Sequence, residues 1–149
     1  MDKPSQFAVE RFNEGYACSQ SVLSAYASRF NLPLEQAYRI GAAFGAGMAR
    51  RGEVCGAVTG ALMVIGLQAG NVEAQDTDAK MNAYRLGEEF MRAFEARHGS
   101  IHCRELLGYT LSDPEGYQLA RQQGLFESLC PKLVQDSADI LADLLKINE

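Results

Sequence analysis

The sequence predicts an all-α fold: a single-domain, multi-helix bundle with a central apolar helix, residues 1–149 forming one helical four-cysteine domain. Three observations lead there. Apolar residues recur at helical spacing from end to end, with no sustained period-two alternation of the kind a half-buried strand needs. A chain of 149 residues with 47% hydrophobic content supports one core and does not promise two. The stretch from Val54 to Val72 carries no formal charge, and its strongly apolar part, ending at Leu67, is apolar nearly all round, as a helix enclosed by others should be.

The elements follow from this periodicity and its punctuation. A short first helix is expected over about Pro4 to Asn13, with "NEGYA" as its exit. A second spans about Ala17 to Arg29, with Val22, Leu23, Tyr26, Ala27 and Phe30 on one face, and "NLP" breaks it. A third runs from Leu34 to Phe44 through Leu34, Ala37, Tyr38 and Gly41, ending in "GAGMARRG", a loop that its composition marks as mobile. The fourth is the central one, from about Val54 to Gln68. After "AGNVEAQD", Asp76 is placed to cap the longest helix, about Thr77 to Arg97, which packs through Ala83, Leu86, Phe90 and Phe94 and closes at His98-Gly99. Short helices are expected near His102 and after "SDPEG", and a last one from about Cys130 to Lys146 with Val134, Ala138, Leu141 and Leu145 on its apolar face. Pro114 and Pro131 stand where a helix start tolerates proline.

Charge narrows the function. A net charge of -5 and a pI near 5.1, with no basic block, argue against a nucleic-acid partner or an anionic membrane surface, both of which are held by clustered Lys and Arg. The apolar run is interrupted by Gly56, Gly60 and Gly66 and has the length of a buried helix, so no membrane span is expected. The amino terminus, "MDKPSQFAVERF", has no apolar signal region, which makes a cytoplasmic, reducing compartment the expectation. Structural disulfides are then not expected at rest, and redox or metal chemistry gains weight for the cysteines.

Those are Cys18, Cys55, Cys103 and Cys130, each within about one turn of an expected helix start. Free amide groups and partial positive charge at a helix start favour thiolate over thiol, and thiolate is the form that attacks disulfides and ligates metals. At Cys55 the loop arginines Arg50 and Arg51 would add to this if folded back, and Glu53 would oppose them. There is no C-x-x-C, so neither the thioredoxin-type motif nor the usual zinc-ribbon pattern is present, and any shared site has to be assembled by the fold. Packing is the competing reading, because free cysteine is among the most buried residue types. Gly56 and Gly60, four apart, strip one stripe of the central helix so that a second backbone or a cluster can approach.

"CGAVTG", Cys55 to Gly60, fits the CGAxxG element of the C_GCAxxG_C_C family of redox-active proteins, which place one cysteine before that element and two after it. Cys18 stands before it here, Cys103 and Cys130 after. The sequence around Cys18, F-N-x-G-Y-x-C-S-Q-S-V-L, and "GAAFGAGMARRGEVCGAVTGALMVIGL" resemble the family's first two blocks, so the likeness covers most of the chain, from about Phe12 to Cys130, without departure at a cysteine. The resemblance implies a helical, cysteine-dependent redox or metal-binding role, in a family often encoded near transporter genes. A similar module resembles part of the split-Soret cytochromes, which points to an iron-sulfur centre. The chain has no C-x-x-C-H, so the haem of those proteins does not carry over.

Other candidates are weaker. His98 and His102 flank Cys103 and read as solvated loop residues, while Glu88, Glu89, Asp136, Asp139 and Asp143 read as wet helix faces. No nucleophile elbow, P-loop or dinucleotide fingerprint is present. Three functions therefore compete. In the preferred one Cys18, Cys55, Cys103 and Cys130, with Gly56 and Gly60 beside them, form one site holding an iron-sulfur cluster or related metal centre for electron transfer or redox sensing. In the second, a metal-free thiol-disulfide oxidoreductase uses Cys55 as nucleophile. In the third, a non-catalytic helical interaction module carries structural cysteines or zinc. A redox partner, association with a transporter and a homodimer are the partner expectations.

Overall fold

The computed structural model describes residues 3–147. In chain order the helices are α1 (Pro4–Glu14), α2 (Cys18–Ala27), α3 (Leu34–Gly41), α4 (Gly56–Ala69), α5 (Thr77–His98), α6 (Cys103–Leu107), α7 (Pro114–Gln122), α8 (Leu125–Ser128) and α9 (Cys130–Leu144). The all-α expectation is met: the described residues contain no strand, and extended pairing is limited to a single antiparallel bridge between Val54 and His102. No helix among them is long and apolar enough to cross a membrane.

Local chemistry sets the helix ends. Pro4, Pro114 and Pro131 each occupy a first-turn position, where the missing N–H costs nothing. Asp76 caps α5 as expected, its Oδ1 accepting from the Ala79 N–H at 3.1 Å. At the start of α2 the Ala17 N–H donates to Gln20 Oε1 at 2.8 Å, the backward half of a capping box. Two helices end sooner than periodicity alone predicts, because the chain tightens to 3₁₀ turns over Ser28–Phe30 and Ala42–Phe44.

The core is built on α2 and α4, with α5, α9 and α1 around them. Val22, Leu23 and Tyr26 from α2, Val58, Ala61 and Val64 from α4, Phe90 and Phe94 from α5, and Val134 and Leu141 from α9 are fully buried, and each large apolar side chain removed from water contributes about 1.5–3 kcal/mol. The enclosed character of α4 holds over its first ten residues; Gly66, Leu67 and Gln68 emerge into solvent. Buried hydroxyls are satisfied across helices: Tyr26 OH donates to the Ala138 carbonyl, Ser137 to that of Ala57 and Ser19 to that of Gly41, each at 2.7 Å. A second, smaller cluster of Cys103, Leu107, Leu111, Ala120 and Cys130 packs beside this core, and Phe12, Cys18 and Leu129 touch both.

Three sequence expectations are corrected. The glycine-rich segment after α3 is a hydrogen-bonded turn: Met48, Ala49, Arg50, Gly52 and Glu53 each donate a backbone N–H to a carbonyl between Ala43 and Gly47. Ala46, Gly47, Met48, Ala49 and Arg50 all have φ between 52° and 74°, a left-handed run that non-glycine residues enter at a cost of about 1–2 kcal/mol each. Asp136 is buried, with Oδ1 2.8 Å from Lys132 Nζ, because α9 packs against neighbours on several sides and its buried face is wider than a simple stripe. His98 is also largely buried, its ring 4.8 Å from that of Phe94 and Nε2 3.0 Å from Asp136 Oδ2, without the alignment of a hydrogen bond. Glu88 and Glu89 are exposed as expected, paired with Arg92 and Arg85.

Candidate functional site

All four cysteines sit at helix starts. Cys18, Cys103 and Cys130 are the first residues of α2, α6 and α9, and Cys55 is the residue immediately before α4. The fold brings these starts together, and Cys18, Cys55, Cys103 and Cys130 line one cavity of about 790 Å³. Cys55, Cys103 and Cys130 are 4–6% exposed, while Cys18 is half-buried.

Two local devices fix the sulfurs. The Val54–His102 bridge aligns residues 52–55 with 101–104: the Cys55 N–H donates to the Ile101 carbonyl at 2.8 Å and the Cys103 N–H to that of Glu53 at 2.7 Å. Cys55 and Cys103 are thereby tied to each other's strands of chain across a long sequence gap. The second device is a near-contact of backbones. A Cβ on Gly56 would lie 2.7 Å from the Ser19 N atom and 3.1 Å from the Cys18 Cβ, so only glycine lets the start of α4 reach that of α2. Gly60 extends this contact one turn further, against the Ser19 carbonyl oxygen, and lies outside the cavity lining that includes Gly56.

Cys18 joins the set. Its thiol interacts with those of both Cys130 and Cys55. Cys55 is held below the ordinary thiol range, chiefly because the Cys18 S–H donates to its sulfur; the Ala57 and Val58 N–H groups of the first turn of α4 add to this against the opposing effect of burial. Cys18 is pushed well above that range by its hydrogen bonds to Cys130 and Cys55 and by burial. Cys103 is pushed up to about 12, mainly by burial and then by charge on Cys55 and Cys130. Of the two, Cys55 is the thiol held low and Cys18 the one held high.

The loop arginines do not supply this activation. The Arg50 guanidinium lies over the Tyr117 ring at 5.6 Å from its centroid, and Glu53 pairs with Arg104 at 3.2 Å. The donors that lower Cys55 are the Cys18 thiol and the α4 amides, a cause visible in the sequence only as a helix start. His102 faces Glu105, with Nδ1 3.3 Å from Oε1, and does not line the cavity. The sequence reading missed the aromatic wall of the cavity, to which Phe12, Tyr16, Tyr117 and Phe126 contribute. Only the spacing of Phe12 and Tyr16 ahead of Cys18 could have signalled it.

The profile of a family described as "Putative redox-active protein (C_GCAxxG_C_C)" matches residues 16–144, most of the chain and all four cysteines. The chain belongs to the C_GCAxxG_C_C family. No curated protein and no solved structure matches it. The CGAxxG element of this C_GCAxxG_C_C protein now has a structural account: its cysteine is the lowered thiol, its first glycine admits Cys18 and Ser19, and its second lets α2 and α4 continue in contact.

As the thiols stand, among the described residues no group of three or more His, Cys, Asp or Glu is arranged to hold a metal ion. Four thiolates are the donor set of a tetrathiolate zinc centre and of an iron-sulfur cluster alike. An iron-sulfur cluster distributes its thiolates over more than one iron, and Cys18, Cys55, Cys103 and Cys130 would be the residues to hold it.

Proposed function

We propose that the protein is a thiol-disulfide oxidoreductase in which Cys55 attacks and Cys18 resolves. The observation that carries this reading is the meeting of Cys18 and Cys55 in one cavity, where glycine at position 56 brings the start of α4 against Cys18 and Ser19, so that the thiol held low stands beside a second thiol. The Cys55 thiolate attacks one sulfur of a substrate disulfide; that S–S bond breaks, one substrate thiolate leaves and takes a proton from water, and a mixed disulfide remains on Cys55. Charge on Cys55 is then gone, which removes one of the causes that keep Cys18 protonated. Cys18 gives up its proton and attacks the Cys55 sulfur, forming the Cys18–Cys55 disulfide and releasing the second substrate thiol. Two electrons pass from the protein to the substrate, and an external dithiol restores the reduced pair. A reducing, cytoplasmic setting suits this cycle.

The test starts from fully reduced protein. Mixing with a small disulfide should consume two thiols per chain in the wild type, none in Cys55→Ser, and leave a mixed disulfide on Cys55 in Cys18→Ser, read by intact and peptide mass. Thiol loss that persists in Cys55→Ser overturns the assignment.

A second reading is supported by the convergence of Cys103 and Cys130 on the same cavity, since a dithiol pair needs neither. Here the four thiolates hold an iron-sulfur cluster, which supplies one-electron chemistry when bound. The cysteines supply the negative charge, and the helix-start amides around them stabilise it. Oxygen-free purification should give iron, sulfide and visible absorption under this reading; colourless protein that stays iron-free after reconstitution removes it.

A further inference from the structure

We propose that the cavity above Cys55 takes a small disulfide carrying both carboxylate and ammonium groups, a substrate class that rests on the dithiol reading above. Cys55 is only 4% exposed, yet it lines a cavity of about 790 Å³, within the size range of small-ligand sites. A disulfide on the surface of a folded protein does not reach a sulfur so covered. A molecule that enters the cavity does.

The charges on the wall define the class. Arg50 and Glu127 are the charged residues among those lining the cavity, and neither makes an ion pair with another described residue. Arg50 is held by its backbone, with its N–H on the Gly45 carbonyl at 3.1 Å and its own carbonyl accepting from the Ser112 N–H at 2.9 Å. Its guanidinium lies over Tyr117, whose ring is 5.6 Å from that of Phe126. Stacking occupies the face of a guanidinium and leaves its N–H edge for a carboxylate. Glu127, at α8, offers the matching acceptor for an ammonium. One unpaired cation and one unpaired anion around a space whose other lining residues are uncharged, Asn13 and Gln20 among them, suit a zwitterion better than a dianion or a dication.

The reaction is the one written above: the ligand's S–S bond breaks, its two halves leave as thiols, and the Cys18–Cys55 disulfide forms. The test follows thiol loss in reduced full-length protein with four probes: cystine, its cationic dimethyl ester, dianionic dithiodiglycolate and neutral hydroxyethyl disulfide. Each rate is divided by that probe's rate with a free small thiol. Cystine should be the fastest after this correction. Arg50→Gln should slow cystine and dithiodiglycolate about tenfold and leave hydroxyethyl disulfide unchanged, the loss of one charge-assisted hydrogen bond. Arg50→Lys should restore most of that rate. Glu127→Gln should slow cystine and its ester and leave dithiodiglycolate unchanged. Equal corrected rates for all four probes, a faster reaction with an unfolded protein's disulfide, or indifference to both substitutions overturns the proposal while the dithiol reading stands. Failure of every probe to react at Cys55 overturns the dithiol reading itself.

Discussion

Cys18 and Cys55 line one cavity where the first residue of α2 meets the residue that opens α4, an approach that only glycine at position 56 permits. Donation by the Cys18 thiol is the leading cause of the lowered Cys55, so its removal has a defined sign. In Cys18→Ala the Cys55 midpoint should rise toward the ordinary thiol value, and in Cys18→Ser, which keeps a donor, it should rise less. The measurement is the pH dependence of iodoacetamide alkylation, read on the Cys55 peptide by mass. Accessibility scales these rates without moving their midpoints, so a Cys55 midpoint above that of Cys103 would contradict the assignment.

Cys103 sets a second pH dependence. Its ordinary value is 9.0 and its folded value about 12, so between these limits the unfolded chain has lost the proton that the folded chain keeps. Stability is therefore fully present below 9.0 and falls as pH rises toward 12, by at most about 1.4 kcal/mol per pH unit from this residue. Cys18 adds to the loss in the same direction. Urea unfolding across the alkaline range should show this fall, and Cys103→Ser, which does not ionise there, should flatten it.

The two glycines that separate packing from propensity are Gly60 and Gly66, both in α4. A Cβ on Gly60 would lie 2.8 Å from the Ser19 carbonyl oxygen, whereas one on Gly66 meets nothing within 4 Å. Alanine gains about 1 kcal/mol over glycine in an exposed helix, and overpacking against a backbone costs about 1–3 kcal/mol. Gly66→Ala should therefore stabilise the protein and Gly60→Ala should destabilise it, with opposite shifts in the urea midpoint.

Some of this arrangement was legible in the sequence and some was not, for physical reasons. Helix starts announce themselves through Pro4, Asp76, Pro114 and Pro131, of which Pro131 marks the start that carries Cys130, while Cys18, Cys55 and Cys103 were placed by the helix breaks before them. The Gly56 and Gly60 stripe pointed to a close approach but not to its partner, Ser19, because the pairing of α2 with α4 is a property of the whole bundle. A single bridge such as Val54–His102 has no periodicity to detect. The four-residue α8 is too short for a helical repeat, and the left-handed turn over residues 46–50 arises from hydrogen bonds that composition does not encode. Whether Arg50 folds back toward Cys55 was therefore open in the sequence, and the turn carries its guanidinium to Tyr117.

Asp136 is the clearest case where burial reverses a surface reading, and it makes the last prediction. The residue is 5% exposed and its carboxylate lies 2.8 Å from Lys132 Nζ, 3.9 Å from Arg97 Nη1 and 3.0 Å from His98 Nε2, so α5 and α9 meet through one acid facing three basic side chains. Removing its charge in Asp136→Asn leaves those groups facing a neutral amide, at a cost of about 1.5–3 kcal/mol for a charge-assisted hydrogen bond. Glu88, on the exposed face of α5, pairs with Arg92 at 2.6 Å but remains in water, where such pairs contribute about 0–1 kcal/mol. Asp136→Asn should therefore lower the urea midpoint clearly more than Glu88→Gln. Equal effects would mean that water screens the Asp136 cluster as fully as the surface pair, and that the α5–α9 junction is held by Phe90, Phe94 and Val134 alone.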